Sequence, residues 1–291
     1  MTHTPDGPPP NPSPRQPGFA LPAGACDSHC HIYGPFARFP LTEGRSFTPN
    51  ETPETALRSL HDRLGFSRAV IVQSQGHGFD HRPVLAALRE NPGRYRGVAL
   101  IRPTDSEELI AEFDAAGFCG ARFSFLAHLG GAPDLSTVRE VIAKVSPFGW
   151  HVAIHVTGHD IIRYADFIGS IDATVVIDHM ARPPVAEGAD GPALAALRRL
   201  LDKGNIWVKI SGADRLSAEG PPYRDALAIP ASLVRHAPER VVWGSDWPHV
   251  NLHGPMPDDG ELVDLLGEIA PDERVRNRIL VDNPTKLFGF R

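Results

Sequence analysis

His29 and His31 stand two positions apart in the segment Asp27-Ser-His29-Cys-His31. On a strand that spacing sends both imidazoles to one face, and two neutral imidazoles aimed at one point make half of a metal site. His155 lies at the end of the run His-Val-Ala-Ile-His, His179 follows Val-Val-Ile-Asp, and Asp246 follows Val-Val-Trp-Gly-Ser. Imidazoles gathered around a carboxylate can bind a divalent cation, take a proton from water or polarise a carbonyl. Arg122, Arg182 and Arg215 add a second chemistry, because forked guanidinium groups match planar anions and stay charged at any working pH. Taken singly, a histidine is as readily a core or surface residue, and an arginine is more often half of a surface salt bridge. The functional reading therefore needs a fold that brings these distant segments to one place.

The elements that must do so are legible as an alternation. Runs rich in Val, Ile and aromatics occur at Ala25–Ile32, Ala69–Ser74, Arg96–Ile101, Gly120–Phe125, His151–Val156, Thr174–His179, Ile206–Ser211 and Arg240–Asp246. Between them lie stretches of helical periodicity: Glu54–Leu64, Val84–Asn91, Glu107–Ala116, Leu135–Val145, Asp160–Ile168, Gly191–Asp202 and Pro222–His236, with Gly260–Ile269 and Asp272–Val281 after the last run. Eight strands each followed by a helix predict an α/β fold of the closed (β/α)8 barrel type; an open doubly wound sheet is the competitor. The polar strand ends favour the barrel, whose chemistry sits at the C-terminal rim. On that rim His29, His31, His155, His179 and Asp246 converge, while strand alternation turns Cys30 away toward packing.

Composition bounds the partners. Lys plus Arg number 29 against 35 Asp plus Glu, a net charge of −6 with neutral histidines, which gives no basic excess for nucleic acid. No apolar stretch approaches the roughly 20 residues of a membrane span. Three cysteines, Cys26, Cys30 and Cys119, suggest no disulfide framework and fit a reducing cytoplasm. Residues 1–17 lack the pattern of a secretory signal. Rich in proline, residues 1–20 read as a flexible or surface-wrapping arm, and residues 21–291 as a single barrel domain.

Together, Asp27-Ser-His29-Cys-His31, Ile-Asp-His179-Met-Ala-Arg182-Pro and Trp-Gly-Ser-Asp246-Trp-Pro-His249 resemble the amidohydrolase superfamily. Within it they are most similar to the lactone hydrolases that include the pyrone dicarboxylate and sulfomuconolactone enzymes, over about residues 22–290. The resemblance implies hydrolysis of an anionic lactone in the breakdown of aromatic compounds, with Asp246 as general base. His29, His31, His155 and Asp246 become ligands of one divalent ion, zinc first and manganese second, and His179 polarises the carbonyl. Pyrone dicarboxylate lactonases carry tyrosine at the position of His155 and can act without a metal, so metal-independent action stays open. Arg122, Arg182 and Arg215 match arginines that hold substrate carboxylates, and a further arginine of that group is His128 here. Ser74, His77, Phe47, His249 and Asn251 are assigned to the pocket wall.

Two other functions compete. A metal-dependent decarboxylase of the same superfamily would release carbon dioxide, and a catalytically silent binding protein would have no need of the histidines and Asp246. The sequence leaves a homo-oligomer open.

Overall fold

The computed structural model describes residues 4–252 and 254–290. Eight parallel strands pair in chain order: β1 (Cys26–Cys30), β2 (Arg68–Val72), β3 (Tyr95–Ala99), β4 (Phe118–Ser124), β5 (His151–His155), β6 (Val175–Ile177), β7 (Ile206–Lys209) and β8 (Val241–Val242). The loop after β8 closes the ring against β1, where Ser28 N donates to Trp243 O, Asp246 N to His29 O and His31 N to Trp247 O at 2.8–2.9 Å. The result is the (β/α)8 barrel expected from the alternation.

Alternation along each strand sorts its side chains into two layers. Val70, Val72, Ala153, Val176, Trp207 and Val242 face an inner cluster, whereas Ala69, Ile71, Val152, Ile154, Val175 and Ile177 pack outward against the helices. By the same parity Arg122 on β4, His151 and His155 on β5, and Lys209 on β7 point into the barrel. Strand β1 breaks the rule: its register with β2 shifts between Asp27 and Cys30. Cys26 is inside, yet Cys30 joins the outer cluster. This irregularity brings His29 and His31 to the inner side, as a bulge re-aims side chains.

The helices are α1 (Glu54–Leu64), α2 (Arg82–Glu90), α3 (Glu107–Ala116), α4 (Leu135–Val145), α5 (Asp160–Arg163), α6 (Ala165–Gly169), α7 (Pro192–Leu201), α8 (Ala213–Leu216), α9 (Ala228–His236), α10 (Asp259–Ile269), α11 (Glu273–Asn277) and α12 (Asn283–Phe288). The single helix expected over Asp160–Ile168 is two, because Tyr164 adopts φ −99°, ψ 5° between α5 and α6. The helix expected from Pro222 begins only at Ala228, after a left-handed Tyr223 and a short turn. The stretch expected as one helix over Asp272–Val281 passes from α11 into a wider π-helical turn, Arg278–Asp282.

Ahead of β1 the proline-rich segment lies along the barrel surface. Asp6 exchanges hydrogen bonds with the Thr48 backbone, donating from its own N at 3.0 Å and accepting at Oδ2 at 2.6 Å. Asn50 donates to the carbonyls of Gly7 and Pro8, and Arg63 donates to Pro14 O. The Gly18 amide donates to Asp264 on α10 at 2.6 Å. Among the described residues no helix is long and apolar enough to cross a membrane.

Candidate active site

The segments that carry Asp27 and Asp246 are clamped together before they present any side chain to solvent. Asp27 Oδ1 accepts from the amides of His29 (3.1 Å) and Ser245 (2.9 Å), and Oδ2 accepts from Ser245 Oγ (2.5 Å) and faces His61 Nε2 (3.1 Å). Burial raises the Asp27 pKa, but the bonds from His61 and Ser245 outweigh it and hold the carboxyl below its ordinary value. Gly244 completes the junction: a Cβ there would lie 2.6 Å from both Cβ and N of His29, so only glycine allows this approach. Beyond it Asp246 adopts φ 63°, a left-handed conformation that a non-glycine residue keeps only when its surroundings impose it.

Three imidazoles surround the resulting carboxylate. Asp246 Oδ1 lies 3.5 Å from His31 Nε2, 3.7 Å from His29 Nε2 and 3.8 Å from His179 Nε2. His31 Nδ1 donates to Val72 O at 2.7 Å, which turns its Nε2 toward Asp246. His179 Nδ1 pairs with Ser211 Oγ at 2.9 Å. The expected strand six ends early: from His179 to Arg182 the φ angles are 51°, 55°, 55° and 43°, a left-handed run that swings His179 and Arg182 over the barrel mouth. Burial raises the Asp246 pKa, but His179, the His31 contact, Arg215 and His29 together hold it well below the usual carboxylate range. Burial keeps His179 well below its ordinary value, and lowers His29 to about 3. At neutral pH Asp246 is therefore an ionised carboxylate beside the neutral imidazoles of His29 and His179.

Beneath them lies a charged group that the sequence pattern did not assign. Asp178 is fully buried, with Lys209 Nζ 3.1 Å from Oδ1 and Arg122 Nε donating to Oδ2 at 2.8 Å. Burial would raise its pKa, yet Lys209, Arg122 and His29 hold it well below the ordinary value. Buried charges persist only when paired, and this set also fixes two imidazoles. Lys209 Nζ lies 3.0 Å and Asp178 Oδ1 3.4 Å from His29 Nδ1, and Arg122 Nη2 lies 3.0 Å from His155 Nδ1. Both newcomers were visible as irregularities: a lysine closing the apolar run Ile-Trp-Val-Lys and an aspartate beside His179.

A cavity of about 110 Å³ opens above this floor, lined by His31, Phe47, Ser74, Gln75, Arg122, Leu129, His155, His179, Arg182, Arg215, Asp246, Val250 and Asn251. Arg215 is tethered there by the carbonyls of Val250 (2.8 Å) and Asn251 (3.2 Å) and lies 3.7 Å from Asp246 Oδ2. Arg182 is half-buried, its Nε is buried and without a hydrogen-bond partner among the described residues, and burial lowers its pKa. His29 sits directly below the cavity, with His31 and His179 as ring neighbours at centroid distances of 5.0 and 4.5 Å. Two residues assigned to the wall are elsewhere. His77 Nε2 accepts from Gly34 N at 3.1 Å while its ring stacks on Tyr33, so it braces the loop behind the wall. His249 is buried against Asp259 at 3.0 Å and Asp214 at 4.0 Å, because its own left-handed φ of 59° turns it away. The side chain of His128 lies outside the described residues.

The donor set admits a small cation. His29, His179 and Asp246 each offer one ligand atom, all within 4.8 Å of one another, His29 Nε2 is buried without a hydrogen-bond partner among the described residues, and His31 Nε2 lies 3.5 Å from Asp246 Oδ1. Imidazole and carboxylate donors in this arrangement suit a divalent ion.

The family model described as Amidohydrolase matches residues 26–290. A 2-pyrone-4,6-dicarbaxylate hydrolase of Comamonas testosteroni is 39% identical over 95% of this chain and 93% of its own. A 4-sulfomuconolactone hydrolase of Hydrogenophaga intermedia is 36% identical, covering 93% of this chain and 90% of that one. A D-galactarolactone isomerase of Agrobacterium fabrum is 35% identical, covering 94% of this chain and 93% of that one.

Proposed function

The chain belongs to the amidohydrolase family, and from that premise we propose that it is a lactonase that opens the ring of a small lactone bearing carboxylate or sulfonate groups. The observation that carries this reading is the meeting of two features in one cavity: an ionised Asp246 ringed by imidazoles, and the guanidinium groups of Arg122, Arg182 and Arg215. The relatives named for lactone substrates support the ring-opening chemistry.

The arginines orient the anionic substituents of the substrate. Arg182 and Arg215 are the principal pair, since Arg122 is already committed to Asp178 and His155. That placement sets the lactone carbonyl over Asp246, with water between them. Water adds to the carbonyl carbon as Asp246 takes its proton; the bond from that carbon to the ring oxygen then breaks, and the proton passes from Asp246 to the departing oxygen. The balance is one lactone and one water giving one hydroxy acid. With its pKa held low, Asp246 is a weak base, so the rate must come from polarisation of the carbonyl.

His29, His31, His179 and Asp246 would hold a divalent ion, zinc by the preference of imidazole and carboxylate donors, and when bound it supplies Lewis-acid charge that acidifies water and polarises a carbonyl. The same reading treats residues 21–291 as the catalytic domain and residues 1–20 as its arm. The test is an assay panel of pyrone dicarboxylate, sulfomuconolactone, muconolactone and neutral sugar lactones, with and without added zinc or manganese. Ring opening of the anionic lactones is expected; opening of none of them removes the reading.

A further inference from the structure

His155 sits in the fifth-strand place expected of a metal ligand, but its hydrogen-bond partner is the wrong kind for that role. A ligating imidazole normally gives its second ring N–H to an acceptor and keeps a lone pair for the ion. Nδ1 of His155 instead faces Arg122 Nη2 at 3.0 Å. A guanidinium has donors only, so Nδ1 must accept, and the neutral ring carries its proton on Nε2. Arg122 is not free to turn away, since its Nε donates to the buried Asp178 at 2.8 Å, which is paired in turn with Lys209. Nε2 of His155 is buried without a hydrogen-bond partner among the described residues, and the ring lines the cavity. Burial, followed by the charge of Arg122, keeps the imidazole neutral.

The other histidines of the site differ. His31 donates from Nδ1 to Val72 O, so its neutral form keeps the lone pair on Nε2. His29 Nδ1 has a lysine on one side and a carboxylate on the other, so either tautomer finds a partner. His179 Nδ1 meets the Ser211 hydroxyl, which can donate or accept. Of the four, His155 alone is fixed as an Nε2–H donor. We infer that His155 is a hydrogen-bond donor to the lactone carbonyl oxygen, stabilising the charge that develops there, and is not a ligand of the ion. Its position suits this role, because its ring centroid is 5.3 Å from that of His179, whose Nε2 is 3.8 Å from Asp246, so the donor stands one ring away from the base. A guanidinium behind Nδ1 makes the opposite N–H a stronger donor, and a buried N–H without a partner is satisfied by an incoming oxygen.

The inference rests on the lactonase reading for the identity of the acceptor, though not for the tautomer. Nitrogen-15 NMR of the histidine-labelled protein, with the His155 signals assigned by their loss in His155→Gln, reads the tautomer directly. A protonated Nε2 and a bare Nδ1, both unmoved when zinc saturates the protein, are expected. A protonated Nδ1, or an Nε2 signal displaced by zinc, overturns the inference. Kinetics test the acceptor. His155→Leu should lower kcat by roughly 100- to 1,000-fold, the usual cost of an oxyanion donor, with zinc stoichiometry unchanged and partial recovery in His155→Gln, which keeps an N–H. A rise in KM with kcat intact, or loss of zinc from His155→Leu, overturns it. If the wild-type protein opens no lactone, the lactonase reading falls while the NMR result still decides the ligand question.

Discussion

Asp27 grips Ser245 through both of its carboxylate oxygens, at 2.9 Å to the amide and 2.5 Å to the hydroxyl, and so ties the residue preceding Asp246 to the strand that carries His29. Asp27→Asn leaves one oxygen to accept and turns an NH2 toward donors. The buried groups left without acceptors should cost about 1–3 kcal/mol of unfolding free energy, read from denaturant titration, and kcat should fall because Asp246 loses its seat. A variant as stable and as active as the wild type would show that the clamp is incidental.

Asp246→Asn preserves the shape of the side chain and removes its ability to accept a proton. Turnover of an anionic lactone should drop by about a hundredfold or more, while the circular dichroism spectrum and melting temperature stay near those of the wild type. Retention of more than roughly a tenth of the turnover, well above what loss of a general base leaves, would take Asp246 out of the proton transfer.

Arg182 lines the cavity with its Nε unpartnered among the described residues, so its guanidinium is available to a ligand. Arg182→Met should raise KM for anionic lactones by roughly tenfold to a hundredfold, the range expected for a hydrogen bond to a charged group of about 1.5–3 kcal/mol. Neutral lactones should show no such penalty. An equal change for both classes would mean that Arg182 shapes the wall without reading charge.

Much of this was legible in the chain. The eight apolar runs at regular spacing specified the barrel, and the polar residues at their ends marked the rim. The inward aim of His29 and His31 followed from their spacing only with the register shift in β1, which no propensity signals. Composition makes Thr174–His179 and Arg240–Asp246 look extended to their ends, whereas the strands stop at Ile177 and Val242. In the fold, left-handed residues at His179–Arg182 and Asp246 replace strand there, held by contacts with segments distant in the chain. Asp178 and Lys209 are legible as polar strand ends but their pairing is not, because nothing local in either segment points to the other. His249 immediately follows the strand-eight motif, yet one positive φ sends it to Asp259 instead of the cavity.

Acid stability can be traced to histidines outside the site. Burial lowers His151 from 6.5 to about 3 and His81 from 6.5 to about 4. Between those values and 6.5 the unfolded chain binds protons that the folded chain refuses, so stability rises with pH and is lost on acidification through this window. The slope is at most about 1.4 kcal/mol per pH unit for each group. His151→Leu should flatten the dependence between about pH 3 and 6.5, measured by urea unfolding at a series of pH values. His151 fits so tightly beneath Gly120 that a Cβ there would lie 2.4 Å from its ring, and the leucine fills part of that space without a titrating group. An unchanged slope would show that His151 is protonated in the folded state.

The whole mechanism turns on water, deprotonated by Asp246, adding to the carbonyl of an anionic lactone. Turnover of sulfomuconolactone and pyrone dicarboxylate by the purified wild-type protein in water enriched with heavy oxygen, followed by mass spectrometry of the product, reads that step. The expected product is a ring-opened acid that has gained one solvent oxygen, located in the new carboxyl group. A product of unchanged mass, as an isomerase gives, or one that has lost carbon dioxide, as a decarboxylase gives, would contradict it.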